Sequence, residues 1–157
     1  MITRKVKTHE ELVDIIAKEK SAGKKVGFTN GCFDILHVGH VSYLALARDK
    51  CDLLVVGMNS DGSTKRLKGE ERPVNPQEAR ALVLAAIESV DFVTIFEEDT
   101  PENLIKALTP DVIFKGGDWD EDQIAGAAYV KASGGEVRII PFEDGYSTTG
   151  LIEKLKK

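Results

Sequence analysis

Two closely spaced histidines are the residues of this sequence that are best suited to chemistry. The chain has three histidines, and two of them, His37 and His40, stand three residues apart in the segment LHVGH. At that spacing in the first turn of a helix, side chains share a face, and the free backbone N–H groups there favour an anion. Gly39 between them leaves room for a bulky ligand. The pattern predicts that both imidazoles face a bound anion such as a phosphate.

A run of basic residues forms a second candidate site. Residues 60–72 read SDGSTKRLKGEER, and their length and glycines predict an irregular loop of the kind that is functional or mobile. Lys65, Arg66 and Lys68 concentrate positive charge there although the chain has a net charge of -5. We expect this loop to close over phosphate groups, and an ordinary solvated charge cluster is the alternative.

A glycine pair and a hydroxyl cluster complete the candidate residues. Gly116 and Gly117, in the segment KGGDW, would let backbone groups approach the edge of a base, and a plain loop is the alternative. Trp119 either stacks on that base or covers the end of the sheet. Ser147, Thr148 and Thr149 open the last predicted helix, where hydroxyls and free N–H groups suit phosphates.

The elements that must position these residues alternate between short apolar runs and longer helical segments. This alternation is typical of an α/β fold with a mostly parallel sheet between helices. Strands are predicted at residues 25–29, 51–59, 92–96, 112–115 and 136–140. Right-handed crossovers then give a Rossmann-like, five-stranded parallel sheet of order 3-2-1-4-5 with helices on both faces. Ligands bind where the strand order reverses, so the segments after residues 29 and 115 should meet.

Capping signals predict where the helices begin. Thr8 and Glu11 form a capping box for a helix that reaches about residue 21, in which His9 is expected to be solvated. Asn75-Pro76 and Thr100-Pro101 each offer an N-cap followed by a proline. In the helix after Asn75, residues at steps of three and four predict the face that packs on the sheet: Ala79, Leu82, Val83, Ala86, Ile87 and Val90.

Length and composition exclude several classes of protein. The 157 residues, 42% of them hydrophobic, predict a single domain over residues 1–157. The excess of 26 acidic over 21 basic residues argues against a nucleic-acid partner. Cys32 and Cys51 are too few for a disulfide scaffold and fit a reducing cytoplasm. Since no apolar run reaches the ~20 residues of a membrane span and no signal peptide opens the chain, we expect a cytoplasmic protein with no membrane partner.

The segment TNGCFDILHVGH, together with several segments nearer the carboxyl terminus, resembles the nucleotidyltransferase superfamily that carries an HxGH signature. Within that superfamily, the chain resembles the heptose 1-phosphate adenylyltransferases, which make ADP-heptose for lipopolysaccharide or related glycans. The segments NSDGSTKRLKGEERPVNPQEAR, FEEDTPENLI, KGGDW and GYSTT carry this likeness over nearly the whole chain. In many such proteins a sugar kinase precedes this domain. We therefore expect a stand-alone enzyme, with a separate heptose kinase and phosphatase supplying its substrate, and a homodimer.

The resemblance implies a reaction in which a sugar-phosphate oxygen attacks the α-phosphorus of ATP and pyrophosphate leaves, with Mg²⁺ on the triphosphate. It implies catalytic roles for His37, His40, Asp34 and Lys65, with Asp34 close to the phosphates and their metal. Nucleotide binding is implied for Thr29, Asn30, Gly31, Cys32, Phe33, His37, His40, Arg80, Lys115, Gly116, Gly117, Asp118, Ser147, Thr148 and Thr149. Sugar-phosphate binding is implied for Asn59, Asp61, Lys65, Arg66 and Lys68.

Several alternatives stay open at this stage. Cys32, Asp34, His37 and His40 could instead form a zinc site, Asp34 could only cap a turn, and Arg80 could only pair with an acidic neighbour. The nearest rival function is a cytidylyltransferase for a polyol or alcohol phosphate such as glycerol 3-phosphate. A dinucleotide-binding oxidoreductase would need a G-x-G-x-x-G segment after the first strand, which is lacking. A non-catalytic nucleotide-binding or metal-binding module is the third alternative.

Overall fold

The computed structural model describes residues 1–141 and 144–157. Its strands are β1 (Val26–Gly31), β2 (Leu53–Asn59), β3 (Phe92–Phe96), β4 (Val112–Gly116) and β5 (Glu136–Ile140). All pairs are parallel, and the sheet order is β3-β2-β1-β4-β5. The predicted Rossmann-like α/β fold and strand order are therefore confirmed.

The reversal of strand order lies between β1 and β4. Gly27 pairs with Val112 and Phe28 with Ile113, so two segments about 85 positions apart in the chain become neighbours. Parallel strands present their carboxyl ends at one edge of the sheet. The segments that follow β1 and β4 consequently start side by side, as predicted.

Helices cover both faces of the sheet because successive residues of a buried strand point to opposite sides. The helices are α1 (His9–Ser21), α2 (Val38–Arg48), α3 (Asp61–Lys68), α4 (Gln77–Ala85), α5 (Glu102–Leu108), α6 (Ala127–Ala132) and α7 (Thr148–Leu155). Leu54 and Val56 pack with α2 and α4, whereas Val55 packs with α1, α5 and α6. Within the described part of the chain, no helix combines the length and the apolar character needed to cross a membrane.

The start of α1 is as predicted, and the starts of α4 and α5 differ by one residue. Thr8 and Glu11 form the capping box. Pro76 and Pro101 themselves occupy the N-cap positions of α4 and α5, so the N-caps predicted at the preceding residues are wrong. The side chain of Asn75 donates to the backbone oxygen of Asp34 instead of capping the helix.

The predicted packing face is wrong for Ala79, Leu82, Val83 and Ala86, which are exposed, and right for Ile87 and Val90, which pack on the core just after α4. Ala81, Leu84 and Ala85 face the core, whereas Leu82 and Val83 are 43% and 52% exposed. The helix is apolar on more than one side, so spacing alone does not choose its orientation. The buried side chain of Arg80, which is tied to backbone oxygens at the ends of β1 and β2, sets the rotation of the helix.

Residues 61–68 are helical, so the prediction of an irregular loop is wrong for most of residues 60–72. The Ser60 hydroxyl accepts from the backbone N–H of Ser63, which starts α3 directly after β2. Gly69, with φ +109, ends the helix. The expectation that His9 is solvated is wrong as well, because its Nε2 lies 2.9 Å from the backbone oxygen of Ile95.

Candidate active site

A cleft of about 420 Å³ opens at the carboxyl ends of β1 and β4, within the size range of small-molecule sites. It is lined by Asn30, Gly31, Cys32, Phe33, Asp34, His37, Gly39, His40, Tyr43, Lys68, Arg72, Lys115, Gly116, Trp119, Tyr146, Ser147, Thr148 and Thr149. Most of the residues singled out from the sequence are thus brought together by the strand order. The singled-out residues outside this lining are Thr29, Asn59, Asp61, Lys65, Arg66, Arg80, Gly117 and Asp118.

The two histidines form a pair at the start of α2. Their ring centroids are 4.0 Å apart. His37 is the N-cap residue, and its Nδ1 accepts from the backbone N–H of Gly39 at 3.1 Å. The Nδ1 of His40 accepts in turn from the backbone N–H of His37 at 3.3 Å. Imidazoles therefore serve here as capping groups, a role that Ser, Thr, Asp or Asn usually fills.

These hydrogen bonds fix the protonation of both rings. An Nδ1 that accepts cannot carry a proton, so the proton of each neutral ring lies on Nε2. Burial lowers the pKa of His37, and burial with a smaller effect of the neighbouring His37 lowers the pKa of His40 to about 4. At neutral pH the cleft therefore has two neutral imidazoles with Nε2–H donors.

Gly39 lines the cleft between the two histidines. A Cβ at this position would lie 2.9 Å and 3.0 Å from atoms of the His37 ring. The missing side chain thus also allows the imidazole of His37 to pack against the backbone. Phe33 packs its ring 5.4 Å from that of His40 and adopts a left-handed backbone with φ 47, a conformation that is strained for a residue other than glycine.

Asp34 binds protein groups with both carboxylate oxygens. Its side chain is fully buried and accepts from Nε of Arg72 at 2.8 Å and from the backbone N–H groups of Val74 and Asn75. These donors lower the pKa of Asp34 and outweigh the opposing effect of burial. The carboxylate holds the segment after Gly69 against the β1–α2 loop. Its role in the structure is therefore to accept hydrogen bonds from a distant segment, which resembles the alternative in which Asp34 caps a turn.

Arg80 lies outside the cleft and is fully buried. Its guanidinium donates to the backbone oxygens of Cys32, Asn59 and Asn75 and to the carboxylate of Asp61 at 2.7 Å. The structure thus places Arg80 in the salt bridge that was its alternative interpretation. It ties together the ends of β1 and β2 and the start of α3.

Only one of the three basic residues of α3 lines the cleft. Lys65 pairs with Glu70 at 2.7 Å, and Arg66 pairs with Asp99 at 2.8 Å and bonds the backbone of Glu97. Lys68, one turn further along, lines the cleft. A helix turns Arg66 away from the face that Lys65 and Lys68 share, which the prediction of a loop did not take into account.

The cleft carries a concentration of positive charge. Lys68, Arg72 and Lys115 line it, and Asp34, which pairs with Arg72, is the one carboxylate among the described residues that line it. Burial, aided by the charge of Lys68, lowers the pKa of Lys115. The ammonium of Lys115 lies 4.8 Å from the ring centroid of Trp119, and this cation–π contact orders both side chains at the mouth of the cleft.

The glycine pair after β4 divides into two roles. Gly116 lines the cleft, but Gly117 does not. The backbone N–H of Gly117 donates to Ile140 at 2.9 Å, and its φ is 90. That N–H extends the pairing of β4 with β5, so only Gly116 is placed to offer backbone to a ligand.

The beginning of α7 closes the cleft opposite these residues. The hydroxyl of Ser147 accepts from Gly150 as the N-cap, and the hydroxyl of Thr148 donates to the backbone oxygen of Ile35. This second bond docks the helix start on the β1–α2 loop, beside the histidine pair. Thr149 also lines the cleft and is exposed.

The donor set does not match a zinc site. Within residues 1–141 and 144–157, no three His, Cys, Asp or Glu side chains converge as metal ligands. Asp34 is saturated by Arg72, Val74 and Asn75, and both Nδ1 atoms of the histidine pair accept from backbone groups.

The sequence interpretation missed three side chains that line the cleft, namely Arg72, Tyr43 and Tyr146. Tyr43 lies one turn after His40 on α2, so helical spacing could have identified it. Tyr146 precedes the hydroxyl cluster, and its ring centroid lies 6.4 Å from that of His37. Arg72 had no local signal, because its place depends on the bond to Asp34, 38 residues earlier.

Comparison with known proteins agrees with this geometry. Residues 28–154 match the family model described as Cytidylyltransferase-like. The chain is 58% identical over 151 residues to the Bifunctional protein HldE of Salmonella arizonae, and to the same protein of Salmonella newport, covering 96% of this chain. It spans about a third, 32%, of the length of these relatives.

Solved structures of other proteins share this fold. A lipopolysaccharide core biosynthesis protein from Thermoplasma volcanium superimposes with a TM-score of 0.64 at 28% identity, covering 80% of this chain and all of that one. Pantoate-beta-alanine ligase from Francisella tularensis has a TM-score of 0.61 at 14% identity over 92% of this chain and 69% of its own, a likeness of fold alone. Given the family match over residues 28–154, the HxGH pair at the start of α2 and the 3-2-1-4-5 sheet, this chain belongs to the cytidylyltransferase-like family.

Proposed function

We propose that this protein is a nucleotidyltransferase that moves AMP from ATP to D-glycero-D-manno-heptose 1-phosphate, releasing pyrophosphate. The observation that carries the proposal is the pair of neutral Nε2–H donors of His37 and His40 in a cleft lined by cations. The similarity to HldE, and to a protein named for lipopolysaccharide core biosynthesis, supports a heptose phosphate as the acceptor.

The proposed reaction is a direct displacement. An oxygen of the acceptor phosphate bonds to the α-phosphorus of ATP while the bond from that phosphorus to the pyrophosphate oxygen breaks. The acceptor oxygen is already an anion, so no general base is needed. The protein must align the reactants and stabilise charge that grows on the α-phosphate and the leaving group. His37 and His40 would donate to the α-phosphate, and the start of α7 with Lys115 would hold the leaving phosphates.

Magnesium fits this cleft as part of the substrate MgATP. The described side chains offer no cluster of acidic ligands, and the carboxylate of Asp34 is engaged by Arg72, Val74 and Asn75. The ion would offset triphosphate charge when the nucleotide binds. We expect activity to require Mg²⁺ and a chelator to abolish it without unfolding the protein.

The acceptor class implies earlier reactions that supply the sugar phosphate. A kinase and a phosphatase would supply the heptose 1-phosphate, and the product ADP-heptose would feed lipopolysaccharide or related glycan synthesis. We further propose that the enzyme works in the cytoplasm as a homodimer. The free thiols of Cys32 and Cys51 suit a reducing compartment, and the exposed side of α4 is apolar enough for a second copy to cover.

The experiment is a pyrophosphate-release assay with ATP, CTP, GTP and UTP, each combined with D-glycero-β-D-manno-heptose 1-phosphate, its α-anomer or glycerol 3-phosphate. We expect the highest kcat/KM for ATP with a heptose 1-phosphate, because a base site built on backbone groups leaves buried partners unpaired when another base enters. A preference for CTP with glycerol 3-phosphate would instead establish a cytidylyltransferase, which the family description favours as the second candidate.

Gly116 is the position for testing the base site, and the more obvious Gly117 is not. A side chain at Gly117, whose φ is 90, would strain the backbone and confuse loss of binding with loss of fold. Gly116→Val should lower kcat/KM for ATP while leaving the melting temperature within a few degrees. An unchanged nucleotide profile would remove this loop from the base site.

A further inference from the structure

Arg72 lines the cleft, and most of its guanidinium donors have no partner among the described residues. Its side chain is 15% exposed, and its Nε donates to Asp34 at 2.8 Å. Within the part of the chain that the structure describes, its two Nη atoms have no hydrogen-bond partner. A guanidinium offers a planar fork of donors that matches the oxygens of a phosphate.

Asp34 restricts where that fork can lie. The carboxylate also accepts from the backbone N–H groups of Val74 and Asn75, the residues that follow Arg72 and Pro73. Asp34 therefore fixes Arg72 in two ways, through the Nε of its side chain and through the backbone of the residues that follow it. Because Arg72 lines the cleft and its Nε is held by Asp34, its Nη groups are donors left for a ligand, which is the arrangement of a preorganised anion-binding group.

The strand order indicates which anion Arg72 would take. The base and the leaving phosphates of ATP are assigned to Gly116, Lys115 and the start of α7, next to β4 and β5. Arg72 belongs to the segment that follows β2 and α3, and β2 flanks β1 on the opposite side from β4. The histidine pair follows β1 and lies between the two. A group that attacks in line with the departing pyrophosphate must approach from the far side of the α-phosphorus.

We propose that Arg72 binds the phosphate of the acceptor substrate, and that Asp34 is a positioning residue that aims the guanidinium of Arg72. This inference rests on the proposed function and names the residues of its acceptor side. It also gives Asp34 a role other than contact with magnesium or with the phosphates of ATP.

The first test is a steady-state comparison of Arg72→Ala, Arg72→Lys and the wild type with D-glycero-β-D-manno-heptose 1-phosphate. Arg72→Ala should raise KM for the sugar phosphate about 10- to 100-fold, as expected for loss of a charged hydrogen bond, and change KM for ATP less than about 2-fold. Arg72→Lys keeps the charge but not the fork, so its KM should be intermediate. Arg138→Ala, which removes an exposed arginine on β5, is the matched control and should leave both constants unchanged.

The second test asks whether Asp34 acts through Arg72. Asp34→Asn should raise KM for the sugar phosphate as Arg72→Ala does, and it should leave the Mg²⁺ requirement unchanged. In the double variant, Asp34→Asn should raise that KM less than about 3-fold beyond the value of Arg72→Ala alone. Fully additive effects, or a raised Mg²⁺ requirement in Asp34→Asn, would overturn the positioning role. A rise in KM for ATP alone, or a lowered melting temperature with both constants unchanged in Arg72→Ala, would overturn the acceptor role.

Direct binding separates this inference from the proposed function. Each variant is titrated calorimetrically with the sugar phosphate in the presence of a non-hydrolysable ATP analogue and Mg²⁺. A wild type that binds the sugar phosphate without turnover would refute the proposed transfer, and weaker binding to Arg72→Ala would still support the assignment. Equal affinity of the two proteins, or no binding to the wild type, would overturn the role of Arg72.

Discussion

His37 and His40 each combine a structural task and a proposed chemical task in one ring. Each Nδ1 accepts a backbone N–H at the start of α2, and the opposite nitrogen then carries the proton that can meet a phosphate. An aspartate could cap the helix equally well, but its ionised carboxylate only accepts hydrogen bonds and would offer no donor to the cleft. A phosphate ligand would therefore explain why histidines stand here, whereas helix capping alone would not.

His37→Ala and His40→Ala should each reduce kcat about 100-fold or more, because preorganised donors act on charge that develops in the transition state. Initial rates of pyrophosphate release measure the effect, and circular dichroism checks that the fold survives loss of a capping interaction worth ~1 kcal/mol. His9→Ala removes the histidine outside the cleft and should keep normal kcat. Near-normal turnover in both folded cleft variants would contradict the proposal.

Because the pKa of His40 is lowered in the folded protein, we expect the free energy of unfolding to depend on pH. The folded pKa is about 4 against an ordinary 6.5, so the unfolded chain binds more protons between these values and the free energy of unfolding should rise with pH across that window. The His40 contribution is complete above pH 6.5 and is lost as pH falls toward 4. After discounting for solvent screening it amounts to about 2 kcal/mol.

Urea unfolding of the wild type and His40→Gln at a series of pH values measures this contribution. The difference between the two proteins should change between pH 4 and 6.5 and be constant above. A constant difference throughout that range would show that His40 is not buried as a neutral ring.

At the scale of elements, α3 contributes Lys68 to the lining of the cleft, and Arg80 joins α3 and α4 to the sheet. Its guanidinium bridges the ends of β1 and β2 to Asp61 at the start of α3. The bridge fixes the rotation of α4, and it leaves Leu82 and Val83 in solvent. One buried cation thus sets the orientation of two helices.

Arg80→Lys should therefore lower the free energy of unfolding by about 3–5 kcal/mol, since an ammonium cannot replace the fork and leaves buried groups unpaired. Chemical denaturation measures the loss, and Arg138→Lys on the exposed side of β5 should change stability by less than about 0.5 kcal/mol. A stable Arg80→Lys variant with only a raised KM for ATP would restore the phosphate-contact interpretation.

The segment between α3 and α4 should be the first site of proteolysis. Lys65 and Arg66 are helical and ion-paired, whereas Glu70 and Glu71 lie in the exposed turn after Gly69. Limited digestion with a glutamate-specific protease should cut after these two residues, more slowly with MgATP and the acceptor present. Mass spectrometry of the fragments identifies the cut. Equal cleavage rates with and without both substrates would exclude closure of this segment.

The sequence predicted those elements that are set by interactions between residues close together in the chain, and it failed where distant residues decide. Local signals were sufficient for α1, whose capping box lies within four residues, and for the strands, whose order follows from handedness. They failed for α4, because its orientation is set by the contact of Arg80 with Cys32, 48 positions away. The histidine pair was found because both members lie in one helical turn. Arg72 was missed because only tertiary structure brings it to Asp34.

At the scale of the whole molecule, the exposed side of α4 is the surface expected to pair with a second copy. Leu82 and Val83 are about half exposed there, and Ala79 and Ala86 are exposed beside them. A two-fold axis would place the same surface on both subunits, so that each copy covers the apolar patch of the other. The cleft at the carboxyl ends of the strands would stay open in each subunit.

Leu82→Glu should shift the protein from dimer to monomer at micromolar concentration, since it places two like charges across the axis. Sedimentation velocity measures the masses. Leu155→Glu, at a leucine that is 81% exposed near the end of α7, should leave the dimer intact. A wild type that sediments as a monomer would refute the dimer itself.

The pairing of β1 with β4 also determines how late during synthesis of the chain the complete cleft can form. The cleft takes one wall from residues 30–40 and others from Lys115 and Ser147 to Thr149, so a growing chain on the ribosome has its histidine pair long before it has the opposite walls. No local turn can substitute for these distant contacts, which must wait for β4, β5 and α7 to be synthesised and to dock. If the proposed function is right, a nascent chain cannot capture nucleotide through the complete site until residue 149 has emerged, and ATP would stabilise only the finished fold.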